Sequence, residues 1–140
     1  IRRNYYDAEG NPNNYQILYY GEGEEAVRSD NYNAIGEMES YTLYYNSEDG
    51  LRFYSESFFP DGTSAGGKSV RVMDEEGNWL YNARIDENGN EIKTTVPVND
   101  ETGSGWNNYD ENGTLISYAR SENGRMVYYN ADGTVEMISE

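Results

Sequence analysis

The chain has 140 residues, enough for one domain with a modest core, and its 26 acidic against 10 basic residues give a formal net charge of −16. That balance excludes nucleic acid and anionic membrane surfaces as partners, because phosphate contacts need Lys and Arg. The absence of Cys and His removes disulfides, thiolate chemistry, the usual general base and the commonest metal ligand.

No apolar run approaches the ~20 residues of a membrane helix, so no membrane insertion is expected. Acidity and low hydrophobicity are compatible with disorder, but disordered segments are poor in aromatics. Here 14% of residues are aromatic, with 15 Tyr and 15 Gly. A sheet-rich fold stiffened by Tyr accounts better for that composition. The first residue is Ile1 rather than Met, which is expected of a fragment or of a mature form whose leader has been removed.

In chain order, Tyr5-Tyr6-Asp7-Ala8-Glu9-Gly10 introduces a recurring unit: a polar turn ending in Gly, then an apolar and aromatic run. The run after Pro12 is Tyr15-Gln16-Ile17-Leu18-Tyr19-Tyr20. Gly21 to Ser40 is less regular, acidic at Glu22, Glu24 and Glu25, and reads as a loop with one short strand or helical turn. Tyr41–Tyr45 is a strand, Asn46–Gly50 its turn, and Leu51–Ser55 the returning strand. Pro60-Asp61-Gly62-Thr63 is another turn, and Ser64–Ser69 a Gly-rich loop.

Val70–Met73, Asn78–Ile85 and Glu91–Val96 are strands separated by the turns Asp74-Glu75-Glu76-Gly77 and Asp86-Glu87-Asn88-Gly89. Pro97 to Gly105 is a polar connection and the clearest internal seam in what is otherwise a single 1–140 domain. From Trp106 onward the turns Asp110–Gly113, Ser121–Gly124 and Asn130–Gly133 alternate with the runs Leu115–Ala119 and Arg125–Tyr129.

In such turns an Asp hydrogen-bonds its own backbone two residues on, and Gly supplies a positive φ. The pattern predicts three-to-five-residue hairpin loops with a left-handed Gly at Gly77, Gly89, Gly113, Gly124 and Gly133. The fold class expected is all-β: an antiparallel meander of hairpin repeats, either elongated or closed into a barrel or sandwich. Adjacent strand residues face opposite ways. The doublets Tyr5-Tyr6, Tyr19-Tyr20, Tyr44-Tyr45, Phe58-Phe59 and Tyr128-Tyr129 therefore place one ring on each face.

Three stretches imitate chemical motifs. Asp86–Glu91 looks like a Ca²⁺ loop, but its Gly stands fourth rather than sixth and turn chemistry explains it without metal. Gly62, Gly67, Lys68 and Ser69 meet the spacing of a phosphate loop. The strand pattern Val70-Arg71-Val72 follows, where a phosphate loop needs a helix. No pair stands out among the carboxylates for glycoside hydrolysis, and no Gly-x-Ser-x-Gly elbow occurs. No catalytic residue, metal or cofactor is expected.

The stretches Trp106…Tyr109-Asp110-Glu111-Asn112-Gly113 and Val127-Tyr128-Tyr129-Asn130-Ala131-Asp132-Gly133-Thr134-Val135 resemble the tyrosine-rich cell-wall and choline-binding repeats of Gram-positive surface proteins. Gly105-Trp106 matches the Gly-Trp opening of those repeats. The Tyr-Asp-x-x-Gly units are also similar to the YD repeats of RHS-type secreted shells and to MORN-like antitoxin repeats. All three resemblances imply a β-hairpin array without catalysis of its own.

The function expected is an extracellular or cell-surface module binding glycan, cell wall or protein. The alternatives are an acidic antitoxin or immunity-type protein covering a basic partner, and a structural spacer in a larger surface protein. Tyr rings offer flat apolar faces with a polar tip. The candidate ligand-binding residues are therefore Tyr19, Tyr20, Tyr44, Tyr45, Trp79, Trp106, Tyr128 and Tyr129, with one ring of each Tyr doublet forming an exposed ladder.

Overall fold

A computed structural model describes residues 1–23 and 25–139; Glu24 of the acidic run and Glu140 lie outside the described residues. The described chain is all-β. Its strands are β1 (Arg2–Tyr6), β2 (Pro12–Tyr20), β3 (Ala26–Asn33), β4 (Met38–Asn46), β5 (Arg52–Phe58), β6 (Ser64–Met73), β7 (Trp79–Ile85), β8 (Glu91–Asp100), β9 (Gly103–Tyr109), β10 (Leu115–Glu122), β11 (Arg125–Asn130) and β12 (Val135–Ile138). They pair in sequence order as an antiparallel meander whose end strands do not meet, so the sheet is open rather than a barrel. The chain divides into two compact units, Ile1–Ser69 and Val70–Glu140.

The turns follow the chemistry of their sequences. Gly77, Gly89, Gly113, Gly124 and Gly133 all have φ between +78° and +89°. In the β9–β10 turn the Asp110 N–H donates to Thr114 O at 2.9 Å and the Gly113 N–H to Asp110 O at 3.1 Å. Asp110 Oδ1 accepts the N–H of Asn112 (2.8 Å) and of Thr114 (2.9 Å). This is a type I turn closed by a left-handed Gly. Turns at Gly10, Gly36, Gly62, Gly77, Gly89 and Gly133 share its two backbone bonds.

Gly10, Gly36, Gly62, Gly89, Gly113 and Gly133 close every second hairpin, and Gly77 closes one of those between. The spacing is 26 residues from Gly10 to Gly36 and again from Gly36 to Gly62, then 27, 24 and 20. The repeat is therefore a strand pair rather than a single strand and turn.

Four expectations need correction. The β10–β11 turn is a two-residue loop: Glu122 pairs with Arg125, Asn123 has φ +50° and Gly124 +78°. Asn-Gly in this setting favours a primed turn, whose twist matches the strands. Gly21 to Ser40 holds β3 and the start of β4, because polar side chains such as Asn31 and Ser40 satisfy one another across strands. Ser64–Ser69 belongs to β6, with Gly67 at φ +81° inside the strand. The connection 97–105, expected as a seam, is a hairpin in which Val98 pairs with Gly105 and Asp100 with Gly103. The division between units falls instead at Ser69/Val70.

Neither unit has an ordinary hydrophobic core. In the first unit Leu18, Ser29 and Asp30 are buried; in the second, Val70, Val72, Ala83, Ala119, Val127 and Arg120. Cross-strand pairs do the work a second layer would otherwise do. In each unit one sheet face, here face B, carries a polar ladder. Gln16 donates to Asn31 (3.1 Å), which donates to Ser40 (3.1 Å). In the second unit Thr95 donates to Asn108 (3.2 Å), which donates to Ser117 (2.9 Å). The two ladders occupy matching places in Asn-Tyr-x-x-x-Gly-x-x-x-Ser-Tyr, found at 31–41 and again at 108–118. The opposite face, face A, carries stacked rings.

Candidate functional site

Three of the stacks on face A obey a simple rule counted from the turn glycine. A ring five residues after one glycine lies opposite a ring four residues before the next glycine of the series. Tyr15 (Gly10+5) stacks on Tyr32 (Gly36−4) with centroids 4.8 Å apart. Tyr41 (Gly36+5) stacks on Phe58 (Gly62−4) at 5.2 Å, and Tyr118 (Gly113+5) on Tyr129 (Gly133−4) at 4.8 Å. Each is a directly opposed cross-strand pair. Such pairs contribute about 0.5–1.5 kcal/mol beyond the area they bury.

An arginine lies over the first ring of each of these three stacks: Arg2 over Tyr15 at 4.0 Å, Arg28 over Tyr41 at 4.5 Å, and Arg120 over Tyr118 at 5.1 Å. Arg2 and Arg28 both stand eight residues before their glycine. In the third stack that position is Gly105, and the cation comes from its cross-strand partner, Arg120. A Cβ at Gly105 would lie 1.9 Å from Ala119 O, so only glycine fits here.

The third stack opens onto a cleft of about 370 Å³ lined by Thr102, Asn107, Leu115, Tyr118, Arg120, Glu122 and Tyr129. Arg120 is only 9% exposed. Its guanidinium donates to Thr102 Oγ1 (3.2 Å), Trp106 O (3.1 Å), Ala119 O (2.8 Å) and Asn107 Oδ1 (2.8 Å). These acceptors are neutral and fix the fork in one orientation, leaving one Nη2 hydrogen with no acceptor among the described residues. Thr102 Oγ1 in turn donates to Asp100 Oδ1 at 2.5 Å. That bond, with the Thr102 backbone N–H and the charge of Arg120, holds the Asp100 carboxyl below its ordinary pKa. Across the cleft the Tyr129 hydroxyl donates to Glu122 Oε1. This bond, followed by burial and the Glu122 charge, pushes the Tyr129 phenol up. The cleft thus combines ring surface, one carboxylate and one oriented guanidinium.

The eight candidate residues are dispersed. Tyr19 and Tyr45 share face A of the first unit and are 43% and 41% exposed, but Tyr19 lies in the row of Arg28 and Leu43 and Tyr45 in the next row. Tyr45 stacks on Tyr54 at 5.2 Å, with Lys68 Nζ 4.6 Å from the Tyr54 centroid. Tyr44 points to face B and shares a 3.1 Å hydrogen bond with Ser29 Oγ. Tyr20, paired with Ala26 beside a bulge, is exposed.

Trp79 donates from Nε1 to Asn82 Oδ1 at 2.9 Å and lies under Arg71. Trp106 and Tyr128 meet edge-on at 6.1 Å over Ala119 on face B of the second unit. Tyr129 is the one candidate in the cleft. Thr102, Asn107, Tyr118, Arg120 and Glu122 were not expected there. The signal that finds the stack is the glycine series with rings at −4 and +5.

No protein-family model and no curated protein matches the chain. Among solved structures, a protein of unknown function from Bacteroides fragilis NCTC 9343 is similar over 89% of this chain and 90% of its own, at 13% identity and a TM-score of 0.37.

Proposed function

We propose that the protein is a non-catalytic, extracellular or cell-surface module that binds a neutral glycan in the cleft of its second unit. The observation that carries this reading is the arginine-braced Tyr118–Tyr129 pair beside Glu122, open to solvent. A pyranose with equatorial hydroxyls turns its axial C–H bonds outward as an apolar patch, which suits a tyrosine face. Its hydroxyls donate to Glu122 and accept from the remaining Arg120 Nη2 hydrogen. A β-linked chain of gluco-configured sugars keeps that flat form along its length. The net charge of −16 disfavours an anionic polymer. The cleft lining holds one carboxylate, Glu122, whereas glycoside hydrolysis ordinarily uses two.

The test is a glycan array and a pull-down on insoluble peptidoglycan, comparing wild type with Tyr129→Ala and Glu122→Gln. Each variant should weaken binding by about tenfold or more, equivalent to about 1.4 kcal/mol. Glu122→Gln should leave the melting temperature nearly unchanged. Failure of the wild type to bind any glycan or wall preparation refutes the reading.

A further inference from the structure

The same counting rule that locates the cleft in the second unit places two further copies of its stack in the first. They are not equally available. The middle stack, Tyr41–Phe58, is closed: Arg28 Nε donates to Asp30 Oδ1 at 2.6 Å, and Asp30 is only 4% exposed. Burial and a hydrogen bond to Asp30 both push the Tyr19 phenol up, so Tyr19 also engages that carboxylate. Cation and carboxylate satisfy each other there.

The first stack, Tyr15–Tyr32, is open. Arg2 lies 4.0 Å from the Tyr15 centroid and its Nε donates to Asn4 Oδ1 at 2.7 Å. Asn4 pairs with Tyr15 across β1–β2 and so shares its face. A cleft of about 210 Å³ is lined here by Arg2, Asn4, Tyr6, Pro12 and Tyr15, among others. Tyr6 stands four residues before Gly10, as Tyr109 stands before Gly113, and is 61% exposed; it supplies the second phenol here, since Tyr32, the counterpart of Tyr129, is not in the lining. This cleft has the parts of the other one: an arginine on a stacked tyrosine, a second phenol and an amide.

We infer that the Arg2–Tyr6–Tyr15 cleft is a second binding site, in the first unit, for the same class of ligand, a neutral β-linked chain of gluco-configured pyranoses. The inference rests on the glycan reading of the cleft in the second unit. The sites differ in one respect. The rim of the first offers an amide at Asn4 where the other offers the Glu122 carboxylate, so it is the weaker acceptor of sugar hydroxyls.

Calorimetric titration of the intact protein with cellotetraose, and separately with tetra-N-acetylchitotetraose, tests this. Two ligands should bind per chain to at least one of the sugars. Tyr6→Ala should leave one site, with the affinity of the second-unit cleft, and Tyr129→Ala should leave the other. Glu122→Gln replaces Tyr129→Ala if the latter unfolds its unit. Binding of one ligand that Tyr129→Ala abolishes and Tyr6→Ala leaves unchanged overturns the second site while the reading of the first cleft stands. Binding of one ligand lost only in Tyr6→Ala upholds the new site and refutes the other. No binding of either sugar by wild type overturns both.

Discussion

Replacing Gly105 with Ala tests whether the third stack is built as described. The new Cβ would stand 1.9 Å from Ala119 O, 2.7 Å from Ala119 C and 3.1 Å from Arg120 Cα, all of them backbone atoms that cannot rotate away. Relief requires β9 and β10 to separate. Separation strains the Arg120 Nη1 bond to Trp106 O, which crosses from β10 to β9. Overpacking alone costs about 1–3 kcal/mol, and each weakened hydrogen bond adds about 1. The expected loss is about 3 kcal/mol, which for a unit of this size lowers the melting temperature by about 12–24 °C.

Both tryptophans, Trp79 and Trp106, lie in the second unit. Their fluorescence in a urea or thermal melt therefore reports that unit alone. Gly66→Ala in β6 is the control, since an added Cβ there meets nothing within 4 Å; it lies in the first unit, so its melt is followed by circular dichroism rather than by tryptophan fluorescence. It should be neutral or stabilise by about 0.5 kcal/mol. A Gly105→Ala melt within about 4 °C of wild type would refute the claim that only glycine fits opposite Arg120.

Three further outcomes are expected. The carboxyls of Asp7, Asp74 and Asp86 lie below their ordinary 3.8, chiefly through backbone N–H donors of Asn11, Asn78 and Asn90, so carbon-detected NMR should give midpoints below 3.8. Because those folded values are depressed, the stability they contribute is present above the unfolded value and lost as pH falls through the folded one. Asp86→Asn, which keeps the accepting oxygen as Asn33 does in its own turn, should reduce that acid sensitivity. The Tyr129 phenol is raised above 10.0, mainly by its bond to Glu122. Its contribution is full below the unfolded value and lost as alkaline pH passes the folded one. Glu122→Gln should bring the ultraviolet titration of that tyrosine back toward 10. Finally, Asn123→Gly should be close to neutral at φ +50°, whereas Asn123→Val should cost about 1–2 kcal/mol in a chemical melt.

The turns were legible because their chemistry is local: an Asp, two polar residues, a Gly and the residue after it contain the hydrogen bonds that shape the loop. The strands with apolar runs were legible for the same reason. β3 was not, since Arg28-Ser29-Asp30-Asn31 has no apolar alternation and becomes a strand only through partners in β2 and β4. The hairpin at 97–105 carries the same signature at Asp100-Glu101-Thr102-Gly103, but it was missed because Pro97 and the polar residues flanking that turn show no apolar strand pattern. The cleft was hidden more deeply. Its two rings come from different strands, and its cation has moved from the position Arg2 and Arg28 occupy to the opposite strand. Tyr doublets drew notice because they are adjacent in sequence, yet adjacency sends their rings to opposite faces. Tyr44 and Tyr45 show this, one bonded to Ser29 and the other stacked on Tyr54.

The ring ladder also bears on how the chain comes apart. Each stack links one strand pair only to the next, so its contribution to cooperativity is that of a nearest-neighbour coupling. Where a glycine is followed at +5 by no ring, the coupling is missing, and this happens at Gly67 and Thr94. The boundary at Ser69/Val70 falls in that interval. Amide exchange should accordingly be slowest at β4, β5, β10 and β11, whose strands share the stacks of Tyr41 and Tyr118. It should quicken toward the exposed end strands β1 and β12, where partial unfolding begins.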